Sequence, residues 1–285
     1  MKSVYVVPIF AALSVALAQA SELGADHRRV IVLDPGHGGS NLGAVGIGGV
    51  SEKSFTLPLA RAVASRLEQR GFAVILTRDS DRYLTLRERV NVANRANADA
   101  FISLHANASP SHGQHGFETW ILSADAVDVD SRALRTGGGG ERAGVDTATA
   151  LLLDDLERGA AQWQSAEMAA AVQEELRAVS GLDNDRGVRQ ESKHVLLGAN
   201  MPAILVEVGF LDHPVEGRGL LDPAVRDDIA LALARAVERS VAGDRSVTLD
   251  RSVVAAYASP ATNRSVAATR SADPAQIPDV GERIR

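Results

Sequence analysis

Five short runs of apolar, mostly β-branched residues stand out along the chain: Arg29–Leu33, Ala73–Thr77, Ala100–Leu104, Phe117–Leu122 and Ala203–Val208. A weaker run lies near His194–Leu197. Between them, apolar positions recur at helical spacing over Thr56–Gln69, Leu84–Asn97, Ser165–Val179 and Pro223–Val241. Strands that are continuously apolar belong to a sheet buried on both faces, and amphipathic helices between them supply the cover. The pattern predicts an α/β fold in a single domain, with a mostly parallel twisted sheet of about six strands and helices on both faces. Pro58 fits this only if its helix begins just before it, with Thr56 as the expected cap.

The two ends follow other patterns. Residues 1–20 read as a secretory signal: Lys2 is a short positive region, Val4 to Leu17 is apolar, and Ala18-Gln19-Ala20 offers small residues for cleavage. That apolar stretch is shorter than the ~20 residues of a membrane-spanning helix, and no other segment approaches this length. From Asp244 to Arg285, Ser, Ala, Thr, Pro and Arg mix without a period, and a disordered tail is expected over 244–285. The catalytic-size core is then 21–243. Within it, 125–160 reads as an insert. Asp125, Asp128 and Asp130 precede a helical stretch, Gly137–Gly140 is a flexible run, and Val145 to Leu156 is a second, leucine-rich helix.

Composition narrows the chemistry. The 285 residues include no cysteine, which excludes disulfides, a thiol nucleophile, thiolate zinc sites and iron–sulfur clusters. A formal charge of −6 gives no global pull toward nucleic acid, and no nucleic-acid partner is expected. Catalysis must therefore use His, Glu, Asp, Ser, Lys or a metal that they hold. No Gly-x-Ser-x-Gly elbow is present. The glycine-rich turn Gly36-His37-Gly38-Gly39 fails as a dinucleotide fingerprint, because Asn41 stands where the last glycine is needed.

Three strands end on titratable groups. The first runs into His37, the third into His105, and the last carries Glu207 inside the apolar run Ile204-Leu205-Val206-Glu207-Val208. A carboxylate in such a run is costly unless it is paired or beside a metal. In open α/β sheets the carboxyl ends of the strands form the ligand crevice, so these three groups are expected to meet. One such histidine alone reads as a hydrogen-bonded core residue. Two with carboxylates form the donor set of a catalytic zinc site, which keeps one position open for water. A third ligand is needed, and Glu52, Asp34 and Glu118 are all candidates. Glu52, at a helix start, also reads simply as a dipole-stabilising carboxylate.

These motifs, taken in order, resemble the zinc-dependent N-acetylmuramoyl-L-alanine amidases of the type 3 class. Val30 to Gly39 resembles the family's first metal motif, Ser51-Glu52-Lys53 the second, and Ala98 to Ala108 the third. Thr77-Arg78-Asp79-Ser80-Asp81 with Leu86-Arg87 and Ala93-Asn94 resembles its middle signature, and Met201 to Leu211 its last motif. The resemblance implies one Zn2+ held by His37, Glu52 and His105, with Glu207 as the catalytic carboxylate. It implies cleavage of peptidoglycan between N-acetylmuramic acid and L-alanine of the stem peptide, by an exported or periplasmic enzyme. In the family's cell-division members a helix in this insert plugs the zinc with an acidic residue until an activator protein withdraws it, and Ala150 to Leu156 is similar to part of that segment. Autoinhibition is expected here, with Asp128, Asp130 or Glu141 as candidate plugs, and an ordinary surface excursion with a packed leucine stripe is the alternative. After Phe210-Leu211 the family continues with Ser-Asn, where this chain has Asp212-His213. Two rival readings are a non-catalytic wall-binding protein of the same fold and a zinc peptidase acting within the stem peptide; no His-Glu-x-x-His helix favours the latter.

Overall fold

The computed structural model describes residues 28–123, 126 and 146–242. The signal at 1–20, the tail at 244–285 and the acidic positions Asp125, Asp128, Asp130 and Glu141 lie outside them.

Six strands form one sheet: β1 (Val30–Pro35), β2 (Ala73–Leu76), β3 (Ala100–Asn107), β4 (Phe117–Leu122), β5 (Asp185–Glu191) and β6 (Ala203–Phe210). Their spatial order is β2-β1-β3-β6-β4-β5. Every neighbouring pair is parallel except β4 with β6. The three central strands are the apolar ones. Ile31, Val32, Leu33, Phe101, Ile204 and Val206 are wholly buried, as both-face burial requires.

Helices α1 (Glu52–Glu68), α3 (Thr147–Leu176) and α5 (Pro223–Ala242) cover one face. Leu59, Val63 and Leu67 from α1, Met168, Val172 and Leu176 from α3, and Ile229, Leu233 and Val237 from α5 share its core with Ile31, Leu33, Ile102 and Leu104. The opposite face carries a smaller cluster: Val32, Phe101, Leu205, Val195, Leu196 and Ala93 of α2 (Leu86–Arg95). Thr85 caps α2 by accepting the Glu88 N–H, while the Glu88 carboxylate accepts the Thr85 N–H, a reciprocal capping box. A short helix, α4 (Glu216–Leu221), precedes α5.

This asymmetry positions the site. Side chains alternate along a strand. Ile102, Leu104 and Ala106 of β3 enter the three-helix face, so Ser103, His105 and Asn107 stand on the other. By the same alternation Glu207 of β6, and Glu118 and Trp120 of β4, share that face with His105.

Three expectations are corrected. The sixth strand is Asp185–Glu191, not the run near His194–Leu197, which forms a 3-10 turn over His194–Leu196. Val195 and Leu196 are apolar because they plug the smaller core, whereas β5 is an edge strand whose second half, Val188–Glu191, is exposed. Helix α1 starts at Glu52 and holds Pro58 in its interior. Thr56 is no cap: its hydroxyl is buried and donates to Gly36 O. The leucine-rich stretch of the insert is not a separate helix either. Asp146 caps a single 30-residue helix that runs through Gly159 to Leu176.

Candidate metal centre

The chain turns sharply where β1 ends, and the turn is held from inside the protein. His37 takes a left-handed φ of 60°, rare for a residue with a side chain and strained unless its surroundings impose it. Two buried arginines impose it. Arg78 donates to Pro35 O and Gly36 O; Arg89 donates to Pro35 O and His37 O. Arg89 also meets Asp34, at 2.8 Å between Nη1 and Oδ1, in a fully buried pair. Ser103 and Thr77 hydroxyls donate to the same carboxylate. Backbone carbonyls that would otherwise be unsatisfied in a buried loop are thus bonded, and the imidazole is fixed.

Glu52 is the first residue of α1 and almost completely buried. Its Oε2 lies 2.8 Å from His37 Nε2, and its Oε1 lies 2.8 Å from His105 Nδ1. The Ala44 N–H donates to Oε2 and the Ala106 N–H to Oε1. The His37 and His105 rings meet edge to face at 4.9 Å between centroids. Burial by itself would raise the Glu52 pKa, but hydrogen bonds and charge from His105 and His37 hold it far below the usual carboxylate range. The same pairing raises His105 against the downward pull of its own burial. Gly36 matters here: a Cβ at this position would lie 2.5 Å from His105 Cε1. Gly43 is equally constrained, since its φ is +69° and a Cβ would lie 2.4 Å from Glu52 Oε2.

One donor atom from each of His37, Glu52 and His105 lies within 4.8 Å of the others, and among the described residues this is the one such group. Two imidazoles and a carboxylate on a rigid, partly buried frame fit a divalent zinc ion. Of the other third-ligand candidates, Asp34 is consumed by Arg89, Thr77 and Ser103. Glu118 is consumed by Arg186 and Arg189, each with Nε at 2.9 Å from Oε2, and by Trp120 and Asn107 on Oε1.

Glu207 differs from both. It pairs in register with His105 on one side and Glu118 on the other. Its Oε2 is enclosed and has no hydrogen-bond partner among the described residues. Burial, then the negative charges of Glu52 and Glu118, push its pKa up to about 7, with His105 and Lys193 opposing. A carboxyl with such a pKa can both take and give a proton near neutrality.

Residues 31–239 match the family model for N-acetylmuramoyl-L-alanine amidase. The chain belongs to this family. It is 33% identical over 223 residues to the N-acetylmuramoyl-L-alanine amidase AmiC of Neisseria meningitidis, covering 75% of this chain and 53% of that protein. To AmiA of Escherichia coli it is 33% identical over 218 residues, covering 74% and 75%. Its fold is similar to that of the amidase AmiC2 of Nostoc punctiforme, with a TM-score of 0.59, 29% identity, and coverage of 76% of this chain and 99% of that one. The chain spans about half the length of the Neisseria relative and three quarters of the Escherichia one.

Some of the supporting residues escape a sequence reading. Arg78 falls in the middle signature, yet only the fold reveals it as the clamp on the His37 loop. Asn94 of the same signature donates to Gly198 O and accepts the Asn200 N–H, tying α2 to the loop before β6. Where this chain departs from the family pattern, Asp212 accepts the Ser109 N–H and bonds His112 Nδ1. His213 accepts the Glu216 N–H at the start of α4.

Proposed function

We propose that this protein hydrolyses the amide between the lactyl group of N-acetylmuramic acid and L-alanine in peptidoglycan. The observation that carries the reading is Glu207: strand-paired to His105 of the three-donor group, it has an enclosed Oε2 with no partner among the described residues, and burial pushes its pKa up to about 7. In this reading His37, Glu52 and His105 hold one Zn2+, which supplies the Lewis acid that polarises the amide carbonyl and acidifies the attacking water. Glu207 accepts the proton that the water loses. It then delivers a proton to the alanine nitrogen as the C–N bond breaks, leaving a lactyl carboxylate and a free amine. Glu52 is held in place by two backbone N–H groups, and a metal bound there would replace its direct bonds to the two imidazoles. A structural zinc site takes four protein ligands, and a group of three with an adjacent proton-active carboxyl suits hydrolysis better than passive wall binding.

Export to the wall compartment belongs to the same proposal and rests on residues 1–20. Among the described residues no helix is long and apolar enough to cross a membrane. Autoinhibition by the insert and its relief by an activator protein complete the reading; the acidic positions invoked lie outside the described residues. The test is digestion of purified peptidoglycan fragments by the protein with and without zinc, followed by mass analysis. Intact stem peptides with a free alanine amine support the amidase. Cuts inside the peptide would establish the peptidase instead, and no cleavage under zinc even by protein lacking residues 127–145 would leave a binding protein.

A further inference from the structure

Beyond Glu207, the same face of the sheet continues onto β4 and β5, where Arg186 and Arg189 of β5 and Lys193 just after it gather around Glu118 and Trp120 of β4. Arg186 and Arg189 each place Nε on the single oxygen Glu118 Oε2, directly across the strand pair from Glu207. Neither guanidinium donates through its Nη atoms to any other group among the described residues, so both forks are open to a second carboxylate. Arg186 lies over the Phe210 ring at 5.0 Å, and Arg189 lies 5.9 Å from the Trp120 centroid. Lys193 sits 3.9 Å above Trp120, near enough to Glu207 to lower its pKa. Lys193 also meets Glu191, in a surface pair worth little in water. The three cations meet the carboxylates Glu118, Glu191 and, through Lys193, Glu207, and aromatic rings fix their positions.

We infer that Arg186, Arg189 and Lys193 form the subsite that grips the leaving peptide by its free carboxylates. This rests on the proposed amidase reaction and adds a specificity determinant to it. The chemistry selects the side. Once the lactyl carboxyl is tied up in the amide, the sugar half of the substrate has no ionisable group. Only the peptide half carries carboxylates, and only that half gains from a cationic surface. The amidase would therefore prefer acidic stem peptides over amidated ones, and anchor them by charge-assisted bonds made before the scissile amide reacts.

The test uses zinc-loaded, full-length protein and two N-acetylmuramoyl peptides that differ only in having free or amidated peptide carboxylates. The free form should react with a kcat/KM at least tenfold higher, mainly through KM, and salt should erode the gap. Arg189→Gln and Lys193→Gln should each shrink the ratio severalfold, and Arg189→Lys should restore part of it. The ratio cancels any effect of these changes on Glu207, which acts equally on both substrates. Lys193 makes no bond to Glu118, so its variant does not depend on how that carboxylate resettles. An unchanged ratio in both Gln variants, or equal rates for the two substrates in the wild type, would overturn the inference. Failure to cleave either substrate, both with residues 127–145 present and with them removed, would instead count against the amidase reading. Calorimetric binding of the free and amidated peptides then decides the subsite on its own: tighter binding of the acid, lost in the Gln variants, supports it, and equal binding refutes it.

Discussion

Replacing Glu207 with Gln should abolish turnover and yet make the metal-free protein more stable above neutral pH. The folded protein holds this carboxyl at a pKa of about 7 against an unfolded value of 4.5, chiefly through burial. Between those values the folded form binds more protons than the unfolded chain, so stability falls as pH rises. The penalty is absent below 4.5, grows through the interval, and is complete above 7. At about 1.4 kcal/mol per pH unit the displacement amounts to about 3 kcal/mol. Gln keeps the shape and cannot ionise, so it escapes the penalty. In a domain of this size 1 kcal/mol moves the melting temperature by about 2–4 °C, which places E207Q about 6–12 °C above wild type at pH 8. The gap should close toward pH 4.5.

Melting curves of chelator-treated protein at half-unit pH steps measure this directly. Parallel curves for the two proteins would show that Glu207 ionises normally and would remove the argument for it as the proton-transfer group. In the zinc-loaded form the same variant should lose about 10²–10⁴-fold in rate, the usual weight of a general acid–base, with zinc content unchanged. Zinc loss equal to that of Glu52→Ala would mean that Glu207 is a ligand instead.

Asp34→Ala should destabilise the fold by about 3–5 kcal/mol, because it leaves Arg89 buried without its counter-charge. Urea unfolding checks this, and a change below about 1 kcal/mol would show that water replaces the carboxylate. Gly36→Ala should weaken zinc binding about 10–100-fold while the protein still folds, since the added methyl would meet the His105 ring at 2.5 Å. Competitive zinc titration reads it, and wild-type affinity would mean the ring moves freely. Deleting residues 127–145 should raise amidase activity severalfold if the insert holds the site shut. A longer cut to Gly159 is the wrong variant, because it would remove the buried Ala150 and half of α3.

How far the sequence revealed these features depended on what each residue packs against. Strands β1, β3 and β6 are legible as apolar runs because both of their faces are buried. β5 is not, since an edge strand in water has no reason to be apolar, and its place was given to Val195 and Leu196, which fill a core from a 3-10 turn. The first half of α3 obscured its own pattern by exposing Leu152, Leu156 and Trp163, so apolar spacing there did not mark an inward face. His37, His105 and Glu207 are legible because each interrupts or terminates an apolar strand. Arg78 and Arg89 are not. A buried arginine is recognisable only from the carbonyls it reaches, and those belong to a loop more than forty residues earlier in the chain.

The four carboxylates around the strand ends make the remaining distinction. In the sequence Glu207 stands apart because it interrupts an apolar run, but the spacing of Asp34, Glu52 and Glu118 does not sort those three. The fold sorts them by partner. Asp34 has an arginine and two hydroxyls, and it anchors a loop. Glu118 has two arginines and an indole N–H, and it orients the guanidinium groups. Glu52 has two imidazoles and two backbone N–H groups, which stabilise its charge so strongly that it cannot exchange protons near neutrality. Glu207 alone has nothing on Oε2. Leaving an enclosed carboxylate oxygen unsatisfied costs stability, and among the described residues Asp212 Oδ1 shares this condition with Glu207 Oε2. Asp212 commits its other oxygen to the Ser109 N–H and to His112 and so anchors a loop, which leaves Glu207, in register with His105, as the acid best placed to exchange a proton in the proposed reaction.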